Sequence, residues 1–93
     1  MKAVRLIIKG RVQGVSYRRW FEKEAIQLNL KGYVRNLVTG EVEAVIIGEQ
    51  QTILTMIHHS YIGPLHAQVE NIQQVEIEVD SSFNDFKMIR DLF

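Results

Sequence analysis

Residues 3–28 read AVRLIIKGRVQGVSYRRWFEKEAIQL and contain two different periodicities separated by a short glycine-containing segment. Alternate residues at the start of the stretch are apolar, which predicts a strand over 3–9: Val4, Leu6 and Ile8. From Tyr17 to Leu28 the apolar residues recur at helical spacing, which predicts an amphipathic helix with Ser16 as its N-cap. Residues 10–15 are therefore a loop that joins a strand to a helix.

The rest of the chain continues this alternation of strands and helices. Residues 31–36 and 41–48 are predicted strands, joined by a hairpin loop ending at Gly40. A second helix is predicted over 50–61, followed by a one-sided strand over 75–80 and a short final strand over 86–90. The order predicts an α+β, ferredoxin-like βαββαβ sandwich. We expect an antiparallel four- to five-stranded sheet, with both helices on one face.

Length and composition limit the class of protein. The chain has 93 residues and equal numbers of acidic and basic side chains, 11 of each. That length predicts one domain spanning 1–93. The absence of cysteine excludes disulfides, thiolate zinc sites, iron–sulfur clusters and a cysteine nucleophile. Zero net charge argues against a general nucleic-acid binder. No apolar run approaches the roughly 18 residues of a membrane span, and the N-terminus lacks signal-peptide features. We therefore predict a cytoplasmic protein.

The loop at 10–15 and the first helical turn indicate an anion site. A strand-to-helix junction leaves backbone amides unpaired at the positive end of the helix dipole. Gly10 and Gly14 allow successive amides to converge on one point. Arg18 and Arg19 lie in the first turn, where the dipole disfavours a cation, unless a bound anion lies between. Most such loops bind nothing, however, and one of the two arginines is expected on a solvated helix face.

Asn36 is the second candidate, at the end of a predicted strand. Its side-chain amide has both a donor and an acceptor, so it could hold a water beside a bound phosphate. A turn-forming asparagine is the alternative, and it is the commoner use at such a position. His58, His59 and His66 have poor metal-ligand spacing and are predicted to be surface residues.

Several segments, in register along almost the whole chain, resemble the signatures of the acylphosphatase family. Residues 10–18, GRVQGVSYR, resemble G-x-V-Q-G-V-x-F-R, with Tyr17 in place of the usual Phe. The other matches are 32–36 with G-x-V-x-N, 40–42 with the downstream G-x-V, 63–69 with G-P-x-x-A-x-V, and 86–89 with the closing F-x-I strand.

The resemblance implies an enzyme, a hydrolase that converts acyl phosphates to a carboxylate and inorganic phosphate. It implies that Arg18 binds the substrate phosphate and that Asn36 orients the attacking water. The phosphate would also contact the backbone amides of six residues: Gln13, Gly14, Val15, Ser16, Tyr17 and Arg18. We expect no metal, no other cofactor, no membrane and no nucleic-acid partner. We also expect the protein to be a monomer.

Two rival functions stand beside this one. Lys31-Gly32-Tyr33 matches the start of an RNA-binding RNP1 pattern on a fold of the same element order. The match then fails, because Arg35 and the residues after it lack the aromatic side chains that stack on bases. The other rival is a small regulatory or carrier domain that binds an anion without turning it over.

Overall fold

Residues 1–91 are described by a computed structural model of the chain. The last two residues of the predicted domain, Leu92 and Phe93, lie outside the described part. The elements follow the predicted order: β1 (Lys2–Arg11), α1 (Tyr17–Gln27), β2 (Lys31–Asn36), β3 (Val42–Gly48), α2 (Gln50–Ile62), β4 (Gln68–Ile77) and β5 (Phe86–Ile89). The ferredoxin-like prediction is therefore confirmed in its order of strands and helices.

The five strands form one mixed sheet in the order β4-β1-β3-β2-β5. The predicted antiparallel pairing is correct for three strand pairs and wrong for one, because β5 runs parallel to β2. The cause is the connection over 78–85. It carries the chain from β4 at one edge to the other edge, and it arrives where β2 begins, with the Gly32 amide donating to the Asp85 carbonyl at 3.0 Å. From there β5 can only run in the direction of β2.

Both helices pack on the same face of the sheet, as predicted, because each element presents one apolar face to a shared core. Phe21 on α1 packs against Phe86 on β5, with ring centroids 5.8 Å apart. The buried core also includes Leu6, Ile8, Val34, Ala44, Ile46, Ile53, Met56 and Ile57. Within residues 1–91, no helix is long and apolar enough to cross a membrane.

The fourth strand differs from its prediction. It begins at Gln68, seven residues before the predicted start at 75, and ends at Ile77. Its buried residue is Ile72, on the helix-covered face, whereas Val75 is 53% exposed. β4 is an edge strand, and Val75 pairs with Arg5 on the face that the helices leave open. Alternation of side chains therefore identified a strand here but not its buried side.

The end of β1 is directed into the following loop by a break in its pairing with β4. The register shifts between Lys9 and Gly10. Gly10 has a φ of 131°, and a Cβ there would lie 2.1 Å from the backbone oxygen of Gln68. Only glycine fits this close approach. β1 continues past this irregularity to Arg11, which pairs with Gln68, and the loop to α1 follows.

Candidate active site

A cleft of about 260 Å³ opens beside the β1–α1 loop, the first turn of α1 and the ends of β2 and β5. Six of the seven predicted site residues line it: Gln13, Gly14, Ser16, Tyr17, Arg18 and Asn36. The seventh, Val15, is half-buried against the core. Arg19 and Met88 also contribute to the walls. The fold thus brings together the loop and the strand end that the sequence singled out separately.

The loop has a backbone conformation suited to binding an anion. Gly14 and Ser16 are both left-handed, with φ of 74° and 64°. Such alternation turns successive amides toward a common point. Within residues 1–91 we find no protein acceptor for the backbone amides of Gln13 to Arg18. Unpaired amides at a helix start are a ready binding surface for phosphate oxygens.

Ser16 precedes the helix as predicted, but the prediction that its side chain caps the helix is wrong. Its hydroxyl makes no capping hydrogen bond, and its backbone is left-handed instead of extended. A side chain attached to this backbone does not reach back to the first-turn amides as an N-cap normally does. The amides of the first turn therefore remain free for a ligand.

The Gln13 side chain ties the loop to the β2–β3 connection. Its Nε2 donates to the backbone oxygens of Leu37 at 2.8 Å and Glu41 at 2.9 Å. Since Leu37 directly follows Asn36, this pair of bonds holds the anion loop and the Asn36 strand end in one arrangement. The sequence indicated only the Gln13 backbone amide, because its partners lie 24 and 28 residues away.

Tyr17 departs from the family signature without leaving its hydroxyl unpaired. The ring is buried, and the hydroxyl donates to the backbone oxygen of Ser60 on α2 at 2.7 Å. Burial raises the pKa of this phenol above its ordinary value, so the group is neutral. The aromatic ring packs 5.4 Å from that of Trp20. The side chain therefore belongs to the core.

Arg18 is held at one end of its guanidinium group. Its Nη1 donates to the Ile89 backbone oxygen at 2.7 Å and lies 3.2 Å from Oδ1 of Asp91. Its Nη2 lies 3.5 Å from Oδ2 of Asp91. Arg18 is 21% exposed at its side chain, whereas Arg19 is an exposed residue. The structure thus distinguishes the two arginines that the sequence left as alternatives, and Asp91 is a site residue that the sequence did not indicate.

Asn36 presents one satisfied and one unsatisfied atom. Its Nδ2 donates to Oδ2 of Asp91 at 3.5 Å. Its Oδ1 is buried and has no donor among residues 1–91. Buried polar atoms are nearly always paired, so an unpaired one requires a partner such as a water or ligand. Among residues 1–91 no side-chain hydrogen bond joins Asn36 to the turn that follows it, so the geometry does not support the turn-forming use.

A second polar cluster lies on the open face of the sheet. The buried carboxylate of Glu43 accepts hydrogen bonds from Arg5 Nε at 2.8 Å, Arg35 Nε at 2.6 Å and the Tyr33 hydroxyl at 3.0 Å. Burial opposes ionisation of Glu43, but these donors outweigh it and hold its pKa below the ordinary value. Burial and the Glu43 charge raise the pKa of Tyr33. Both carboxylate oxygens therefore accept hydrogen bonds within the protein.

In residues 1–91 no three histidine, cysteine or acidic side chains come together as a metal-binding group. The expectation of a metal-independent reaction stays a prediction. His59 differs from a free surface residue, since its Nδ1 lies 3.2 Å from Oε1 of Glu24 on α1. That contact joins the two helices, and neither residue lines the cleft.

Comparisons with known proteins cover nearly the whole chain. The acylphosphatase family model matches residues 4–88. A curated acylphosphatase from Azorhizobium caulinodans is 42% identical over 83 residues, covering 89% of each chain. A crystal structure of acylphosphatase from Bacillus subtilis superposes with a TM-score of 0.93 at 28% identity, covering 97% of this chain and 100% of that one. An acylphosphatase structure from Coxiella burnetii superposes at 0.90 with 35% identity, covering 95% and 92%.

Proposed function

This chain belongs to the acylphosphatase family, and from that premise we propose that it hydrolyses acyl phosphates to a carboxylate and inorganic phosphate. One observation carries the proposal. Free loop amides, the Arg18 guanidinium and the Asn36 side chain all line one cleft. These groups suit the phosphate oxygens of an acyl phosphate and a water molecule, and those two molecules are the reactants of the hydrolysis.

The phosphate group would bind between the loop amides and Arg18. A guanidinium has five N–H donors. Ile89 accepts one hydrogen of Nη1 and Asp91 accepts one of Nη2, while Oδ1 of Asp91 lies 3.2 Å from Nη1. The Nε hydrogen and the second Nη2 hydrogen have no acceptor among residues 1–91. They lie parallel on one edge of the planar group, which supports bidentate binding of two phosphate oxygens.

The chemical step needs no titrating side chain. Water attacks phosphorus, a new P–O bond forms, and the bond between phosphorus and the acyl oxygen breaks with its electron pair leaving on the carboxylate. A carboxylate is a good leaving group and needs no general acid. The water proton passes to a phosphate oxygen of the substrate. Catalysis then rests on positioning and on stabilising charge at the equatorial oxygens, which the amides and Arg18 supply.

Asn36 would position the water. Its Oδ1 is buried in the free protein, so substrate binding would have to turn the amide until Oδ1 accepts a hydrogen bond from the attacking water and restrains the direction of a water lone pair. Gln13 supports this arrangement, since its bonds to Leu37 and Glu41 connect the phosphate loop to the segment that follows Asn36. A small change in their separation would misalign water and phosphorus.

A direct assay tests the proposal. Purified protein is mixed with benzoyl phosphate or acetyl phosphate in excess EDTA, and phosphate release is followed. We expect release well above the uncatalysed rate and competitive inhibition by inorganic phosphate. If phosphate binds by calorimetry but no substrate is turned over, the protein is an anion-binding carrier or regulatory domain. If neither occurs, the proposal is wrong.

The RNA-binding alternative has less support. Tyr33, the aromatic residue of the RNP1-like run, packs against Phe83 with ring centroids 5.8 Å apart and donates its hydroxyl to Glu43. Its ring is therefore engaged within the protein. We further propose that 1–93 form a single catalytic domain, which the one sheet and shared core support. The monomeric state, the cytoplasmic location and the lack of a nucleic-acid partner stay predictions.

A further inference from the structure

We propose that Asp91 is a positioning residue for this reaction, an inference that rests on the function proposed above. Its carboxylate contacts both side chains to which we assign direct roles, Arg18 and Asn36. It would hold each of them in one orientation. Asp91 itself need not touch phosphate or water.

The contact with Arg18 selects which edge of the guanidinium is free. Asp91 lies across the terminal edge, with Oδ1 3.2 Å from Nη1 and Oδ2 3.5 Å from Nη2. The Ile89 carbonyl takes the other Nη1 hydrogen at 2.7 Å. The side edge, formed by Nε and Nη2, is left for a ligand. Without Asp91, phosphate could also bind the terminal edge, formed by Nη1 and Nη2. Arg18 would then bind phosphate in several ways and not in one.

The contact with Asn36 selects the orientation of its amide. An ionised carboxylate has acceptors and no donor, so the side that faces Asp91 must be the Nδ2 donor. The donor–acceptor distance is 3.5 Å. The Oδ1 acceptor is then on the other side, where it has no protein donor among residues 1–91. If Asp91 lost its charge, either end of the Asn36 amide could face it, and the water acceptor would be present only part of the time.

Positioning and electrostatics act in opposite directions at this residue. Loss of the Asp91 charge disorders Asn36 and should lower kcat. The same loss removes a negative charge near the phosphate and should not weaken phosphate binding. The Ile89 carbonyl still holds Arg18 in such a variant. A residue with a merely structural role would instead lower kcat, phosphate affinity and thermal stability together.

The test compares Asp91→Asn with Asp85→Asn, which makes the same change of charge at the other end of the β2–β5 pair, beside Gly32. For Asp91→Asn we expect a kcat about tenfold below wild type, with an inhibition constant for phosphate equal to or tighter than that of wild type. Asp85→Asn should leave both within about twofold. The side-chain amide signals of Asn36 in a ¹H–¹⁵N spectrum should shift in Asp91→Asn and stay in place in Asp85→Asn.

Three results would overturn the inference. The first is a kcat for Asp91→Asn within twofold of wild type. The second is an equal loss of kcat and phosphate binding accompanied by a lower Tm. The third is an Asn36 amide signal that does not move. If wild-type protein hydrolyses no acyl phosphate, the proposed function has failed, but the Asn36 signal still decides whether Asp91 orients that amide.

Discussion

Two clusters of arginine and carboxylate lie on opposite sides of this molecule, and they differ in how completely their hydrogen bonds are satisfied. On the open sheet face, Glu43 is 4% exposed at its side chain and accepts from three donors at 2.6–3.0 Å. Beside the cleft, Asp91 is 38% exposed at its side chain, and its contacts with Arg18 and Asn36 measure 3.2–3.5 Å. The first cluster is closed, whereas the second leaves donors and an acceptor free.

The difference follows from where each cluster lies in the sheet. Arg5, Glu43 and Arg35 are inside neighbouring strands, where the ladder register sets their separation. Arg18 and Asn36 lie where the backbone has just entered a helix or is leaving a strand. The loop amides before α1 have no ladder partner among residues 1–91, and a ligand can supply the missing bonds. Unsatisfied groups therefore distinguish the candidate site from a structural network of similar composition.

The largest expected contrast is between Arg18→Gln and Arg35→Gln. Removing the Arg18 guanidinium should lower kcat/KM for benzoyl phosphate about a thousandfold, because charge on the transferring phosphoryl group loses its cationic partner. Arg35→Gln removes the same group from the open-face cluster and should leave kcat/KM within about twofold. Steady-state kinetics on both variants measure this contrast. A larger loss of kcat/KM in Arg35→Gln than in Arg18→Gln would contradict the assignment of the site to the cleft.

Asn36→Ala should separate turnover from binding. We expect kcat about a hundredfold lower, since the water loses its acceptor. The inhibition constant for phosphate should stay within about threefold of wild type, because the loop amides and Arg18 remain. Asn84→Ala, at an exposed position before β5, is the control. A parallel loss of phosphate affinity in Asn36→Ala would indicate a structural role for this residue.

Glu43→Gln should affect stability and spare catalysis. It removes the charge that two guanidinium groups share, and we expect about 2 kcal/mol lower unfolding free energy. The cost is moderate because Arg5 and Arg35 are about half exposed and regain water. Urea denaturation of Glu43→Gln and of Glu76→Gln, an exposed glutamate 3.8 Å from Lys2, measures it. The control should change by under about 0.5 kcal/mol. A kcat for Glu43→Gln more than about threefold below wild type would contradict the separation of the open-face cluster from catalysis.

The smallest expected effect is the pH dependence of that stability difference. The folded-state pKa of Glu43 lies below the ordinary 4.5, because its three hydrogen-bond donors outweigh its burial. The stabilisation is thus complete above the unfolded pKa and is lost as the pH falls through the lower folded value. The gap in unfolding free energy between wild type and Glu43→Gln should narrow from pH 6 toward pH 3. A gap that stays constant or widens on acidification would contradict this assignment.

Much of the architecture was predictable from local patterns. The bounds of α1, β2 and α2 agree with their predicted ranges to within about a residue or two, because apolar periodicity and glycine breaks mark them. The parallel pairing of β5 was not predictable, since it depends on the path of 78–85 across the sheet. The early start of β4 at Gln68 was missed because polar residues populate an edge strand.

The sequence by itself determined the order of strands and helices, the loop that carries Gln13 to Arg18, and the candidacy of Asn36 and of an arginine in the first helical turn. These features depend on residues close together in the chain. Only the tertiary structure decided which atoms remain free. Asp91 meets Arg18 and Asn36 across 73 and 55 positions, and Tyr17 meets Ser60 across 43. Such contacts depend on sheet register and on how the connections cross, which no local pattern of residues encodes.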